Sequence, residues 1–515
     1  MKKNTYLQGA FILSLTNIIT GIIALIYRIF LTKTIGAEGI GIYQLVLPLY
    51  YLFITFVSSG LVTTISKLVA ENRVKKNYSN IYRIIKIGLI LSGAWSILLA
   101  LFISYNSNFL ATYILKDIRT AYPILIFSPA IVFIALSAVL KGYFYGMEKV
   151  NIPASIDIVE KLIRLVILIL VTKYFVSYGI ILICAGAMLA MVCGEILSLI
   201  LLFFIYSNKK VFVSPQARAQ KDFSIIKSIL VPLLPLSVSG AIENILDMID
   251  AMLIPSKLVE AGFSKQNALS LYGELTGMVI PLLYFPLIII ASLSTTLIPS
   301  IAYSKASNNI IALNKKCNDS MTIASIIGFA SAIIFISFPA ELCKIFYNRP
   351  ETGTLLFWST FPCIFEYWLF IIIAILNGLG LQKKVMECSL SNILIVSGSI
   401  FFLMPIPKLN IYAYIIGFAL SSTYVVFRGM YIIRKRTVIT FNLTRIIVKP
   451  ALCAIFMFVS IKSINNYLSA YYITKYNIIS SFSVGIIIYF ILLFISKTLH
   501  LKQFINVLNI KSFWN

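Results

Sequence analysis

Continuous apolar runs of about 17 to 28 residues recur from one end of the 515-residue chain to the other. A helix of this length crosses the hydrocarbon core of a bilayer, and the runs lack the period-two alternation of membrane barrel strands. About fourteen runs are present, over 10–31, 40–69, 87–105, 121–140, 158–175, 180–206, 229–254, 271–298, 321–342, 355–376, 386–404, 411–433, 446–464 and 478–495. The sequence therefore predicts an all-α polytopic membrane protein with about 14 transmembrane helices.

The basic residues indicate how the chain is oriented. The net charge is +25, but the Lys and Arg residues lie in the connections between runs instead of forming one patch, which argues against a nucleic-acid partner. With the N-terminus in the cytoplasm, about 31 of the 43 basic residues fall on the inner side. We therefore expect a multi-pass protein of the cytoplasmic membrane with both termini in the cytoplasm.

One apolar run carries a stripe of carboxylates. Glu243, Asp247 and Asp250 lie at i, i+4 and i+7 in the run 229–254, so they share one face of a membrane helix. A charge near the bilayer centre costs at least ~2.5 kcal/mol, so three of them predict a polar cavity for substrate or ions. The alternative is a network of salt bridges between helices.

Other charged residues inside runs extend this candidate cavity. Arg28 lies toward the outer end of the first run, near the expected depth of Asp247 and Asp250, and a guanidinium suits a phosphate or diphosphate. Alternatively, Arg28 snorkels to the outer headgroups. Glu274 and Glu366 add carboxylates in the eighth and tenth runs, and each is a candidate for substrate or ion binding.

A second set of candidates concerns gating and the interface. Glu160 and Arg164 lie at i, i+4 near the inner end of the fifth run, which is typical of an ion pair on one helix face. Pro48 and Pro281 lie within the second and eighth runs, where each missing N–H frees a carbonyl and permits a kink. Such kinks are either hinges for gating or static features.

Glycines mark the connection between the first two runs, and the two halves of the chain resemble each other. Gly36, Gly39 and Gly41 are expected to form an outer turn. Pro48 and Pro281 are each followed by a threonine after 15 residues, with an offset of 233 residues between the two pairs. A second repetition places Gly142 and Gly378 just after the fourth run of each half. These repetitions indicate an internal duplication.

The duplication divides the chain into lobes. We predict an N-terminal lobe over 1–206, a cytoplasmic linker over 207–228, a C-terminal lobe over 229–436, and two further helices with a cytoplasmic tail over 437–515. Because each lobe holds an even number of spans, the two six-helix lobes are expected in a pseudo-twofold arrangement around a central cavity.

The chain offers few groups for catalysis or metal binding. Its seven cysteines show no CxxC spacing, and its one histidine, His500, follows the last run. We therefore predict no enzyme activity, no catalytic residue, no metal and no cofactor. Transport would be coupled to H⁺, to Na⁺ or to the membrane potential.

Several motifs resemble the stage V sporulation protein B family, of the multidrug, oligosaccharidyl-lipid and polysaccharide (MOP) exporter superfamily. They are GAEGIGIYQ at 36–44, KGYFYGM at 141–147, VEKLIR at 159–164 and LYGELTGM at 271–278. The resemblance implies a flippase for an undecaprenyl-diphosphate-linked cell-wall or polysaccharide precursor, similar to lipid II, with a role in spore cortex peptidoglycan synthesis. In related lipid II flippases several arginines hold the diphosphate, whereas here only Arg28 resembles one of them.

The resemblance also leaves an alternative. A cation-coupled multidrug exporter of the same superfamily would use membrane carboxylates, as the stripe does, although the signature and the two extra spans argue against it. The expected partners are the lipid-linked saccharide and membrane lipids, and the expected oligomeric state is a monomer.

Overall fold

The computed structural model describes residues 3–175, 178–208, 222–468 and 474–498, without the side chains of 3–11, 234–236, 238–239, 243 and 474–475. Over these ranges the chain is helical and contains no strand. The helices group into two compact units, Met1–Met278 and Val279–Asn515. The all-α prediction is therefore confirmed.

The first unit is built from ten α-helices. They are α1 (Lys3–Ser58), α2 (Leu61–Val74), α3 (Tyr78–Tyr105), α4 (Ser107–Phe109), α5 (Ala121–Phe127), α6 (Ala130–Gly146), α7 (Asn151–Phe175), α8 (Ile180–Asn208), α9 (Asp222–Glu260) and α10 (Lys265–Gly273). Short irregular helices lie between them: π-helical Leu110–Ile114, 3₁₀-helical Ile118–Thr120, and π-helical Glu274–Val279, which continues α10.

The second unit contains nine α-helices. They are α11 (Ile280–Tyr284), α12 (Leu287–Ala306), α13 (Ile310–Ser337), α14 (Pro339–Tyr347), α15 (Gly353–Gly378), α16 (Gln382–Leu403), α17 (Tyr412–Arg436), α18 (Lys449–Leu468) and α19 (Thr474–Ile495). Pro350–Thr352 is 3₁₀-helical and Thr444–Val448 is π-helical.

The helices account for the predicted number of membrane crossings. In the described ranges, eleven helical segments are long and apolar enough to cross a bilayer, and the first of them, Ile12–Val74, is 63 residues long and covers two crossings. Helices α7 and α9 are also of membrane length, with 25 and 39 residues, but they carry more charge. Together these make fourteen crossings.

The division into compact units leaves the predicted lobes as a prediction. Helices α9 and α10 belong to the first unit, whose boundary follows Met278. Of the predicted linker 207–228, residues 209–221 lie outside the described part of the chain, as do His500 and most of the tail. The remaining linker residues are helical, as the end of α8 and the beginning of α9.

The internal repetition has a counterpart in the packing. A Cβ added to Gly142 would lie 2.9 Å from the carbonyl oxygen of Val62 and from Ile65, and one added to Gly378 would lie 2.9 Å from the carbonyl oxygen of Ile298 and 2.8 Å from Ile301. Each member of the second set follows its counterpart by 236 residues (378 − 142, 298 − 62 and 301 − 65). The same close helix crossing therefore occurs once in each unit, which supports the duplication.

The last two helices pack on the second unit. The Tyr489 hydroxyl in α19 donates to the Ile326 carbonyl in α13 over 3.1 Å. Lys462 Nζ in α18 donates to the Ser337 carbonyl at the end of α13 over 2.6 Å. These bonds fix the pair α18–α19 against α13, as an addition to the helices before it.

Candidate functional site

Helix α1 is a hairpin whose two legs meet. Gly36 breaks the helix with φ 69° and ψ −171°, a conformation that glycine adopts without a steric penalty. The Tyr27 hydroxyl in the first leg donates to the Ala187 carbonyl in α8, and the Tyr43 hydroxyl in the second leg reaches the sulfur of Met191, one turn further along α8. A straight helix would hold the two tyrosines about 24 Å apart. The chain therefore reverses at Gly36.

The predicted glycine turn is thus correct only for Gly36. Gly39 and Gly41 lie within the second leg, where the absence of a side chain serves packing. A Cβ on Gly41 would collide with the carbonyl oxygen of Leu269 in α10, and one on Gly273 would collide with the carbonyl oxygen of Ala37. The backbones of α1 and α10 therefore touch at this crossing, as small residues allow in membrane bundles.

Two side chains from the hairpin converge on one backbone carbonyl. Gln44 Nε2 donates to the Thr276 carbonyl oxygen over 2.5 Å, and Arg28 Nη1 donates to the same oxygen over 3.4 Å. Thr276 lies in the π-helical turn Glu274–Val279, where the N–H of residue i+5 bonds to carbonyl i. The residue five positions after Thr276 is Pro281, which has no N–H. The sequence thus frees this carbonyl for Arg28 and Gln44.

The same proline chemistry operates in the opposite direction. Pro48 lies inside α1, so the carbonyl of Gln44 loses its intrahelical donor. The Tyr272 hydroxyl donates to that carbonyl over 3.3 Å. We call the set Arg28, Gln44, Tyr272 and Thr276 the Gln44 clasp. It ties the second leg of α1 to the end of α10 by hydrogen bonds in both directions.

Sequence analysis did not identify Gln44, Tyr272 or Thr276. The signal was available, because Pro48 and Pro281 each free a carbonyl at a known spacing. The sequence cannot show which side chain satisfies that carbonyl. Whether the two prolines act as hinges stays a prediction. In the structure, both supply acceptors for the clasp.

One face of α9 packs against the second leg of α1. Asn244 Nδ2 donates to Thr55 Oγ1 over 2.8 Å, and the Ser237 hydroxyl donates to the Ser59 carbonyl over 3.0 Å. Another face of α9 is exposed and apolar, with Ile242, Ile245 and Ile249 exposed by 49%, 38% and 38%.

The predicted stripe lies between these two faces at about 100° per residue. Asp247 is exposed and Asp250 is half-buried, while the side chain of Glu243 lies outside the described part of the chain. The Tyr272 hydroxyl is within electrostatic range of Asp247, Asp250 and Arg28. The structure therefore brings Arg28 and the two aspartates into one neighbourhood, near the clasp. Glu274 is buried at the start of the π-helical turn that carries Thr276.

A second charged site lies between α7 and α8. Arg164 Nη2 lies 2.6 Å from Glu160 Oε1 and 3.1 Å from Glu195 Oε1, and Lys161 Nζ lies 3.1 Å from Glu160 Oε2. The side chains of Glu160, Arg164 and Glu195 are only 4%, 13% and 13% exposed. Gly194 allows the approach of α8, because a Cβ there would meet Glu160 Oε1 at 3.3 Å.

We call Glu160, Lys161, Arg164 and Glu195 the α7–α8 charge cluster. It contains two positive and two negative groups, so its formal charge is zero. The predicted contact between Glu160 and Arg164 is present, but Arg164 bridges to the neighbouring helix instead of pairing only within its own. One donor, Arg164 Nε, is buried without a hydrogen-bond partner among the described residues. Its function stays a prediction.

Glu366 lies in the second unit. It is 7% exposed in α15, close to Tyr284, and its Oε2 has no hydrogen-bond partner in the described part of the chain. A carboxylate is costly to bury in this way, so such a group favours the binding of a proton or a cation. Its proposed role in the cavity is not tested by these contacts.

Comparison with known proteins identifies the family. Residues 6–305 match the family described as polysaccharide biosynthesis protein. The chain belongs to this family. It is 30% identical over 419 residues to stage V sporulation protein B of Bacillus subtilis (strain 168), covering 80% of each chain. It is also 25% identical over 409 residues to lipid II flippase MurJ of the same organism, covering 73% of each. The resemblance of the motifs is therefore confirmed.

Solved structures show that this family member has the MOP transporter fold. The inward closed conformation of lipid II flippase MurJ matches with a TM-score of 0.69 at 16% identity, over 94% of this chain and 98% of that one. An inward-facing multidrug resistance MATE family transporter matches with a TM-score of 0.61 at 14% identity, over 82% of this chain and 95% of that one. The family member is a membrane transporter related to flippases.

Proposed function

We propose that the protein translocates an undecaprenyl-diphosphate-linked cell-wall or polysaccharide precursor, similar to lipid II, across the cytoplasmic membrane by alternating access. Its setting would be spore cortex peptidoglycan synthesis, and it would act as a monomer with both termini in the cytoplasm. This proposal rests on the similarity to stage V sporulation protein B and MurJ, together with the charge distribution of the chain.

The extent of the MurJ match is the observation that carries the proposal. The MurJ fold accounts for 94% of the chain, whereas the MATE folds account for 82% to 85%. A protein with only the MATE helices has no need of a further pair such as α18–α19, which here packs firmly on α13. A chain built to the full length of a lipid flippase favours a lipid-linked substrate.

The charged groups suit the two tasks of such a transporter. Arg28 is only half-buried and makes a long bond of 3.4 Å to the Thr276 carbonyl, so its remaining donors suit a diphosphate. Asp247, Asp250 and Glu366 suit proton or sodium coupling, because a membrane carboxylate is stabilised by taking up a cation.

A cation-coupled multidrug exporter is the second candidate. The buried Glu366, with one oxygen unpartnered in the described structure, and the match to MATE transporters favour it. A carboxylate in a low-dielectric site attracts a cationic drug as readily as a coupling ion. The two candidates differ in substrate charge, which one reconstitution separates.

The test uses the purified full-length chain in liposomes. Translocation of a fluorescent lipid-linked saccharide is followed beside efflux of a cationic dye, with imposed proton, sodium or potential gradients as separate arms. Protein-free liposomes and the triple variant Glu243→Gln, Asp247→Asn, Asp250→Asn serve as controls. Saccharide translocation without dye efflux is expected. Dye efflux alone would replace the flippase proposal by the exporter.

A further inference from the structure

A polar groove separates α2 from α9 in the first unit. It has a volume of about 510 Å³, which is within the range of small-molecule sites. Its lining includes Thr63, Thr64, Lys67, Glu71 and Lys227. The charge distribution assigns this end of α2 and α9 to the cytoplasmic side of the membrane.

The groove offers unused hydrogen-bond donors. Thr64 is only 4% exposed, and its Oγ1 has no hydrogen-bond partner among the described residues. A buried hydroxyl without a partner is costly, so a ligand that accepts its proton would be stabilised. The ammonium groups of Lys67 and Lys227 add two positive charges to the same lining. Ammonium and hydroxyl donors are the groups that bind phosphate oxygens.

The same groove also offers acceptors. The Thr63 hydroxyl already donates to the Gly60 carbonyl over 2.8 Å, and the Ser228 hydroxyl donates to the Ser224 carbonyl over 2.8 Å. A hydroxyl has one proton, so both oxygens are left as acceptors toward the groove. Glu71, 50% exposed and 4.0 Å from Lys67, is a further acceptor. Acceptors beside phosphate donors suit the hydroxyl groups of a sugar.

An apolar wall completes the groove. Leu68 from α2 and Val231 and Pro232 from α9 line it beside the polar groups. A site with phosphate donors, sugar acceptors and an apolar wall matches three parts of one molecule. We infer that this groove binds the phosphate and first sugar of a lipid-linked saccharide on the cytoplasmic side, before translocation. This inference rests on the proposed function and names a binding site for its substrate.

The experiment measures binding to the full chain in detergent micelles. Three probes are titrated: a short-chain polyprenyl diphosphate saccharide, phosphatidylglycerol and inorganic pyrophosphate. The variants are Lys67→Gln with Lys227→Gln, which removes both charges, and Thr64→Val, which removes the hydroxyl and keeps the shape. The matched control is Lys75→Gln with Lys76→Gln, which removes the same charge from exposed residues at the end of α2, outside the groove lining.

We expect the saccharide lipid to bind more tightly than either other probe. The groove lysine pair should weaken its binding at least about tenfold and Thr64→Val about threefold to tenfold, whereas the control pair leaves it unchanged. Equal weakening by both lysine pairs, or none by Thr64→Val and the groove pair, overturns the site. Equally tight phosphatidylglycerol or pyrophosphate overturns the assignment to a saccharide lipid.

The two proposals fail differently. If the native chain translocates the saccharide lipid while the groove variants bind and transport normally, the groove inference is wrong and the flippase stands. If the groove binds the probe as expected but no translocation occurs under any gradient, the binding site stands and the flippase proposal is wrong.

Discussion

The side-chain amide of Gln44 and the backbone carbonyl of Thr276 form a hydrogen bond of 2.5 Å between two helices that are distant in the sequence. The carbonyl is available because Pro281 offers no N–H to it. The carbonyl of Gln44 is available to Tyr272 for the same reason, through Pro48. A proline in each helix thus supplies the acceptor by which the other helix is held.

The clasp predicts coupling between Gln44 and Pro281. Gln44→Leu should lower the free energy of unfolding by about 1–2 kcal/mol, because it leaves the Thr276 carbonyl with only the long bond from Arg28. Pro281→Ala restores an intrahelical N–H, so Gln44→Leu should cost less in that background. A double-mutant cycle by denaturant unfolding in micelles measures the difference. Equal costs in both backgrounds would show that Pro281 does not free this carbonyl.

The α7–α8 charge cluster predicts an order of stabilities. Arg164→Gln should lower the unfolding free energy by about 3–5 kcal/mol, because it leaves Glu160 and Glu195 buried without their shared cation. Glu195→Gln should cost less, since Arg164 keeps its shorter contact with Glu160. Arg434→Gln, at an exposed position of α17, is the control and should change stability by less than about 0.5 kcal/mol. An Arg164 variant as stable as this control contradicts the role assigned to the cluster.

The acidic stripe predicts loss of transport without loss of fold. Changing Glu243 to Gln, or Asp247 or Asp250 to Asn, removes charge and keeps the shape of α9, which becomes more apolar. We expect at least one of these changes to reduce translocation at least about tenfold at unchanged thermal stability. Glu260→Gln, at the exposed end of the same helix, should leave transport unaltered. Full activity of the triple variant would make the stripe a structural feature.

The helix crossing predicts opposite effects for two glycines. Gly273→Ala should destabilise the protein by about 2 kcal/mol or more, because the new methyl group would meet the backbone of Ala37 and Gly41. Gly398→Ala in α16 should be neutral or stabilise by up to about 1 kcal/mol, since nothing lies within 4 Å of its Cβ position. Thermal unfolding in micelles compares them. A neutral Gly273→Ala would mean that the crossing of α1 and α10 is looser than described.

The sequence alone determined the class of fold and the number of spans. Each apolar run had to be a helix, because a backbone in lipid must satisfy its own hydrogen bonds. The contact between Glu160 and Arg164 also followed from helical spacing. The family resemblance followed from motifs such as 36–44 and 271–278, which lie where α1 and α10 cross.

Only the tertiary structure decided which groups meet. The sequence showed that Pro48 and Pro281 free carbonyls, but a bond across 232 residues between Gln44 and Thr276 depends on how two helices cross. It also could not join Arg164 to Glu195, or leave Thr64 without a partner beside Lys67 and Lys227. Helical periodicity is local, and fixes the face on which a side chain lies. The partner opposite that face is chosen by packing between helices, which in membranes depends on small residues such as Gly41 and Gly273 and not on a pattern within one span.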